Sequence, residues 1–142
     1  MSVLSVYPEN SPELPNKVLG HLEDILATLP GSVRLEQSPG QRLARGASAD
    51  EVLAACAGHL PSGARVLAAE QLAAWAEAQQ FAVQQQLYVA AGEGVVWVRH
   101  DGYHYALACG RGDKVSLAPG TVHWLEADEP REWVVLWAGA PL

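Results

Sequence analysis

The side chains of this sequence best suited to moving a proton or holding a metal are five histidines and two cysteines. His123 opens a short alternating run, Val122 to Leu125, close in sequence to Trp124, Trp133 and Trp137. It reads either as a lone general acid or base in an apolar pocket, its pKa lowered by burial, or as a histidine hydrogen-bonded within a filled interior. His100 and His104 flank Asp101-Gly102. With Arg99 they read as solvated rim residues, or, joined to His123, as a metal site. Cys56 and Cys109 are too few and too far apart for a disulfide framework or a paired-cysteine zinc site, and each reads as a buried, inert thiol. The three late tryptophans suit the wall of a ligand pocket, the filling of a barrel or a subunit interface.

The elements that must position these groups follow from periodicity. From Phe81 onward apolar residues recur every second position, in runs Phe81 to Ala90, Val95 to His100, Tyr103 to Ala108, Lys114 to Leu117, Val122 to Leu125 and Trp133 to Ala138. Six short strands with no helix between them predict an antiparallel barrel or sandwich. Asp101-Gly102 predicts a two-residue hairpin, since both central residues must take positive φ. Upstream, Val3 to Tyr7 and Val33 to Glu36 alternate as strands, Pro8, Pro12 and Pro15 interrupt the chain, and Gln37 to Gly46 reads as a loop. The spacing of Val18, Leu22, Ile25 and Leu29 predicts a helix over Lys17 to Leu29. Ser48 with Glu51 is a capping box opening a helix through His59 and Leu60, and a further helix is expected from Ala69 to about Gln79, with Leu72 and Trp75 on its apolar face.

Composition bounds the functions. With 142 residues, 49% hydrophobic and 18% charged, the chain can bury one ordinary core, so a single domain over 1–142 is expected. We expect 1–80 to be a mixed α/β part packing on barrel strands formed by 81–142. A formal net charge of -7 disfavours nucleic acid as a partner. No apolar run approaches the roughly 18 residues of a membrane span, and acids and prolines break the N-terminal stretch, so we expect a cytoplasmic protein that binds no membrane.

The segment Gly112-Asp113-Lys114-Val115-Ser116-Leu117-Ala118-Pro119-Gly120-Thr121-Val122-His123-Trp124 resembles the second signature motif of cupins, with Pro119 one place later than in its commonest form. Among cupins the chain resembles the acireductone dioxygenase family over nearly its whole length. Gly31 to Glu36 followed by the helix from Ala49, the run Tyr105-Ala106-Leu107-Ala108-Cys109, Gly120-Thr121-Val122-His123-Trp124 and the turn Gly92-Glu93-Gly94 are similar to family segments in the same order. The resemblance implies a mainly β fold, a cupin-type antiparallel β-barrel (double-stranded β-helix) with two to three covering α-helices.

It also implies Fe(II) or Ni(II) held by His-x-His-x-x-x-Glu in the first motif and by one histidine in the second. Counting back from Gly92 puts Gln79, Phe81 and Gln85 at the first three positions and leaves His123 as the fourth. Leu87 and Trp137 stand where the family carries basic groups. One imidazole, two amides and a phenyl ring are a poor set for a borderline transition ion. The expectation is therefore a metal site that has been lost, with no cofactor. The expected function is isomerase, lyase or cyclase chemistry on a small, rather apolar metabolite, with His123 as acid and base. Gln85 would fix the His123 tautomer, and Gln85, Tyr88 or Tyr105 would donate hydrogen bonds. The alternatives are a non-catalytic small-molecule binder or interaction module, and a metal-dependent dioxygenase with His100 or His104 in an unusual ligand set. Phe81, Val83, Leu87, Leu125, Trp133 and Trp137 are the expected pocket walls, and the protein is expected to be a monomer or homodimer.

Overall fold

The computed structural model describes residues 2–11, 13–40, 42–44, 46–61, 63–67 and 69–139. Pro12, Gln41 and Arg45, in two of the expected irregular stretches, lie outside them. The elements in chain order are β1 (Val3–Pro8), β2 (Lys17–Leu19), α1 (Leu22–Thr28), β3 (Val33–Gln37), α2 (Ala49–Ala55), β4 (Arg65–Leu67) and α3 (Ala69–Ala74). Then come β5 (Gln85–Ala91), β6 (Gly94–His100), β7 (Tyr103–Cys109), β8 (Asp113–Leu117), β9 (Val122–Glu126) and β10 (Val134–Ala138).

The strands form two five-stranded sheets, ordered β2-β1-β7-β6-β9 and β3-β8-β5-β10-β4. All pairings are antiparallel. Between the sheets lies a core that draws Leu4, Val96, Val98, Leu107 and Leu125 from one and Leu87, Val89, Val115, Val135 and Trp137 from the other. A second, smaller core lies on the outer face of the other sheet. There α2 and the chain after it bring Val52, Cys56 and Leu60 onto Tyr88, Ala90, Leu136 and Ala138. Both faces of β5 and β10 are therefore buried, which explains why their sequences are nearly continuous hydrophobic runs.

Local signals position the ends of these elements. Asp101 and Gly102 take φ of 48° and 79° in the β6–β7 turn, the conformation that matches the twist of the strands. Ser48 and Glu51 form the capping box, each side chain bonded to the other's backbone N–H.

Four expectations are corrected. Lys17 to Leu29 is not one helix: Lys17–Leu19 pairs with β1, and α1 begins only after Gly20. Val18, expected on the buried stripe, is 61% exposed, and of that stripe only Ile25 is fully buried. The alternating run from Phe81 becomes a strand only at Gln85, because the Gln85 amide donates 2.9 Å to the Val83 carbonyl and holds the chain in a local bend. Helix α2 ends at Ala55 and gives way to turns before Leu60, and α3 ends at Ala74, not near Gln79. The three-residue strands β2 and β4 were not expected from the sequence; two or three residues carry no readable period.

Candidate functional site

His123 stands at the start of β9 and is 1% exposed. Its Nδ1 lies 3.0 Å from the Thr121 carbonyl oxygen, an acceptor only, so Nδ1 carries the proton and Nε2 keeps a free lone pair. Among the described residues Nε2 is buried with no hydrogen-bond partner. Burial lowers the pKa of this imidazole, opposed in part by the Thr121 hydrogen bond, so the ring is neutral at physiological pH. The tautomer expected from Gln85 is set instead by a backbone carbonyl two residues away.

Two aromatic rings pack on the imidazole and a third packs on both of them. The centroids of Trp75 and Phe81 lie 5.6 and 5.5 Å from the His123 ring. Trp137 lies 5.5 Å from Trp75 and 6.4 Å from Phe81. Gln85, 1% exposed, accepts a hydrogen bond from the Trp137 indole N–H through Oε1 while its amide nitrogen is engaged by Val83. It fixes a wall of the cluster by holding the Trp137 indole. The Arg65 guanidinium sits over the opposite strand partner, 5.9 Å from the Trp137 centroid. Gln79 exchanges two backbone hydrogen bonds with His123, 2.7 and 3.0 Å, and its side-chain amide donates to the carbonyls of Ala74 and Glu77 at 3.3 Å each.

Of the pocket walls expected from the sequence, Phe81 and Trp137 reach this cluster. Leu87 and Leu125 are buried in the core between the sheets. Trp133 lies just before β10, in the same core as Trp137, and lines a separate groove with Leu125. Val83, expected as a pocket wall, is 43% exposed in the bend before β5. Trp124 alternates with His123 and faces out, stacked on Trp97 at 5.8 Å and 3°.

His104 meets Trp124 on that outer face, 5.2 Å between rings, and therefore lies across the sheet from His123. His100 is half-exposed beside Asp101. Among the described residues no group of three or more His, Cys, Asp or Glu is placed to hold a metal ion. Cys109 is buried, and desolvation, then Asp113, push its thiol pKa up, which disfavours the reactive thiolate. The residue that sequence reasoning missed is Trp75. Its helical spacing with Leu72 marked a packing position but carried no sign that its ring would lie on His123.

The chain is 33% identical to an acireductone dioxygenase of Pseudomonas fluorescens over 91% of this chain and 81% of that one. Identity to the acireductone dioxygenase of Stutzerimonas stutzeri is also 33%, over 96% of this chain and 85% of the relative. The chain belongs to the acireductone dioxygenase family. The fold agrees: an acireductone dioxygenase from Bacillus anthracis with a cadmium ion in its active centre superposes with a TM-score of 0.71 at 14% identity, over 96% of this chain and 91% of that one. No protein-family model matches the chain. The mainly β, cupin-type architecture with two to three helices expected for an acireductone dioxygenase relative is thus the architecture found, with three helices among the described residues.

Proposed function

We propose that this member of the acireductone dioxygenase family works without a metal ion, using His123 as acid and base on a small, rather apolar metabolite. The residues at the family's ligand positions do not fit a transition ion. Phe81 has no lone pair, the Gln85 oxygen accepts from Trp137, and the Gln79 amide is folded back onto the carbonyls after α3. His123 is left as one imidazole donor.

The observation that carries the reading is the lone pair of the neutral His123 ring, fixed in direction by Thr121 and, among the described residues, without a hydrogen-bond partner. Leaving such an acceptor unpaired costs roughly 1–3 kcal/mol, a cost that a ligand's O–H, N–H or acidic C–H would relieve. The chemistry follows from one base. Nε2 takes a proton from a carbon next to a carbonyl, the C–H electron pair moves into an enolate, and the imidazolium returns the proton to another atom of the same frame, an isomerisation. Gln85 contributes as a positioning residue, by holding the Trp137 wall. The high apolar content of the surroundings favours a neutral ligand over an anion.

A non-catalytic binder is the second reading, favoured by one fact: Phe81, Gln85, His123 and Trp137 are each no more than 7% exposed, so side chains fill the space around the imidazole. Incubating the metal-free protein with small ketones and hydroxyketones in D₂O and following C–H exchange by proton NMR separates the two. Exchange that vanishes in His123→Ala supports catalysis. No exchange beyond that of His123→Ala favours the binder. Stoichiometric iron or nickel in protein expressed with either metal would sink the metal-free proposal.

For the molecule as a whole we propose one cupin domain over 1–142, acting in the cytoplasm on a small molecule as a monomer or homodimer and binding neither nucleic acid nor membrane. A net charge of -7 supports the exclusion of nucleic acid. Among the described residues no helix is long and apolar enough to cross a membrane.

A further inference from the structure

The outer face of the second sheet carries a cavity of about 150 Å³ beside the chain that follows α2, its walls including Glu36, Ser38, His59, Tyr88 and Lys114. The register sets Glu36 of β3, Lys114 of β8 and Tyr88 of β5 side by side in one row across three strands. Tyr88 belongs to the core beneath α2, so this row faces away from the His123 cluster. His59, from the turns after α2, lies flat on the Tyr88 ring at 4.5 Å and 8°, a contact that uses a face of the imidazole and not its nitrogens. Among the described residues the Lys114 ammonium, the Glu36 carboxylate and the His59 ring have no hydrogen-bond or ion-pair partner, although Glu36 stands directly opposite Lys114. Lys114 and His59 are half-buried and Glu36 is exposed. The unpartnered polar atoms sealed from solvent belong to other residues, so these three ends are open to a ligand.

We propose that this cavity binds a small zwitterion, an α-amino acid. Its polar groups sort by sign. Lys114 and His59 offer N–H donors, one of them charged, to a carboxylate. On the β3 side stand the Glu36 carboxylate and Ser38 Oγ, whose own proton is committed to the Gly112 carbonyl at 2.9 Å, so both accept and suit an ammonium. A simple anion would face Glu36 within a chain of net charge -7, and a simple cation would face Lys114. A ligand carrying both charges meets each with its opposite. The size suits alanine, which has as many heavy atoms as benzene, a molecule that a cavity of about 150 Å³ accommodates. The site depends on no metal and on no step at His123.

The probe is L-alanine, with propionate, which lacks the ammonium, and ethylamine, which lacks the carboxylate, as comparators. Binding is followed by ¹H–¹⁵N NMR of the backbone N–H signals of Ser38, Gly58 and Gly112, all at the cavity wall. Alanine is expected to move these signals saturably and to bind at least about tenfold tighter than either comparator, the worth of one charge-assisted hydrogen bond. Lys114→Met keeps the hydrocarbon stem and removes the cation, and Glu36→Gln removes the carboxylate at an exposed position; each is expected to weaken alanine about tenfold. Should Lys114→Met fail to fold, Glu36→Gln and the two comparators still decide the matter. His123→Ala is expected to leave alanine binding unchanged, so this site stands or falls apart from the chemistry proposed at His123. Signals unmoved up to the solubility of alanine, equal affinity for propionate or for ethylamine, or alanine binding unaltered in either cavity variant would each overturn the proposal.

Discussion

At His123 a single proton is worth stability. Its folded pKa lies below the ordinary 6.5 because burial disfavours the imidazolium. The unfolded chain therefore binds more protons than the folded one between the two values, and stability rises with pH across that window. This contribution is complete above about 6.5 and is lost as pH falls from there toward the folded pKa. Urea unfolding at a series of pH values should show that loss in the wild type and a flatter profile in His123→Phe. Equal slopes for the two would mean that His123 is solvated. Of this residue's setting, the motif Gly120-Thr121-Val122-His123 was legible in the sequence, because turn and strand offsets are local. The partner of Nδ1 was not: the sequence pointed to Gln85, and only the backbone path brings the Thr121 carbonyl to that nitrogen.

Element ends were legible wherever a side chain bonds its own neighbourhood. The capping box closes with Ser48 Oγ 3.2 Å from the Glu51 N–H and Glu51 Oε1 3.3 Å from the Ser48 N–H. Ser48→Ala should cost about 1 kcal/mol, read as a lower urea midpoint at unchanged slope. No change would show that α2 is held by its packing on Tyr88 and Leu136 alone. The same local logic misled at Lys17 to Leu29, where helical spacing is real but the backbone of Lys17–Leu19 pairs with β1 across a gap in sequence. It misled again at Val83: perfect alternation from Phe81 predicts an inward side chain, and the Gln85 amide breaks the pleat by capturing the Val83 carbonyl.

The whole molecule carries two cores that share β5 and β10, one between the sheets and one beneath α2. Leu136 is 1% exposed in the outer one, so Leu136→Ala should cost roughly 2–5 kcal/mol, measured by denaturant unfolding. A loss of less than 1 kcal/mol would show that the outer core collapses around the gap and that α2 is a loosely attached cover. The His123 cluster lies in the inner core, so this change should leave the pH profile of His123 in place, since distant sites combine additively.

What the residue order determined by itself was whatever a few neighbouring side chains can specify: six strands in sequence, the Asp101-Gly102 turn, the capping box, and the family to which the chain is similar. The tertiary structure alone decided which groups meet. Trp75, Phe81, His123 and Trp137 come from α3's terminal turn, the bend before β5, and strands of two different sheets, and His104 is carried to the opposite face from His123. Such contacts depend on strand register and on how a short helix seats against a barrel, and both are set by the summed packing of residues far apart in the chain.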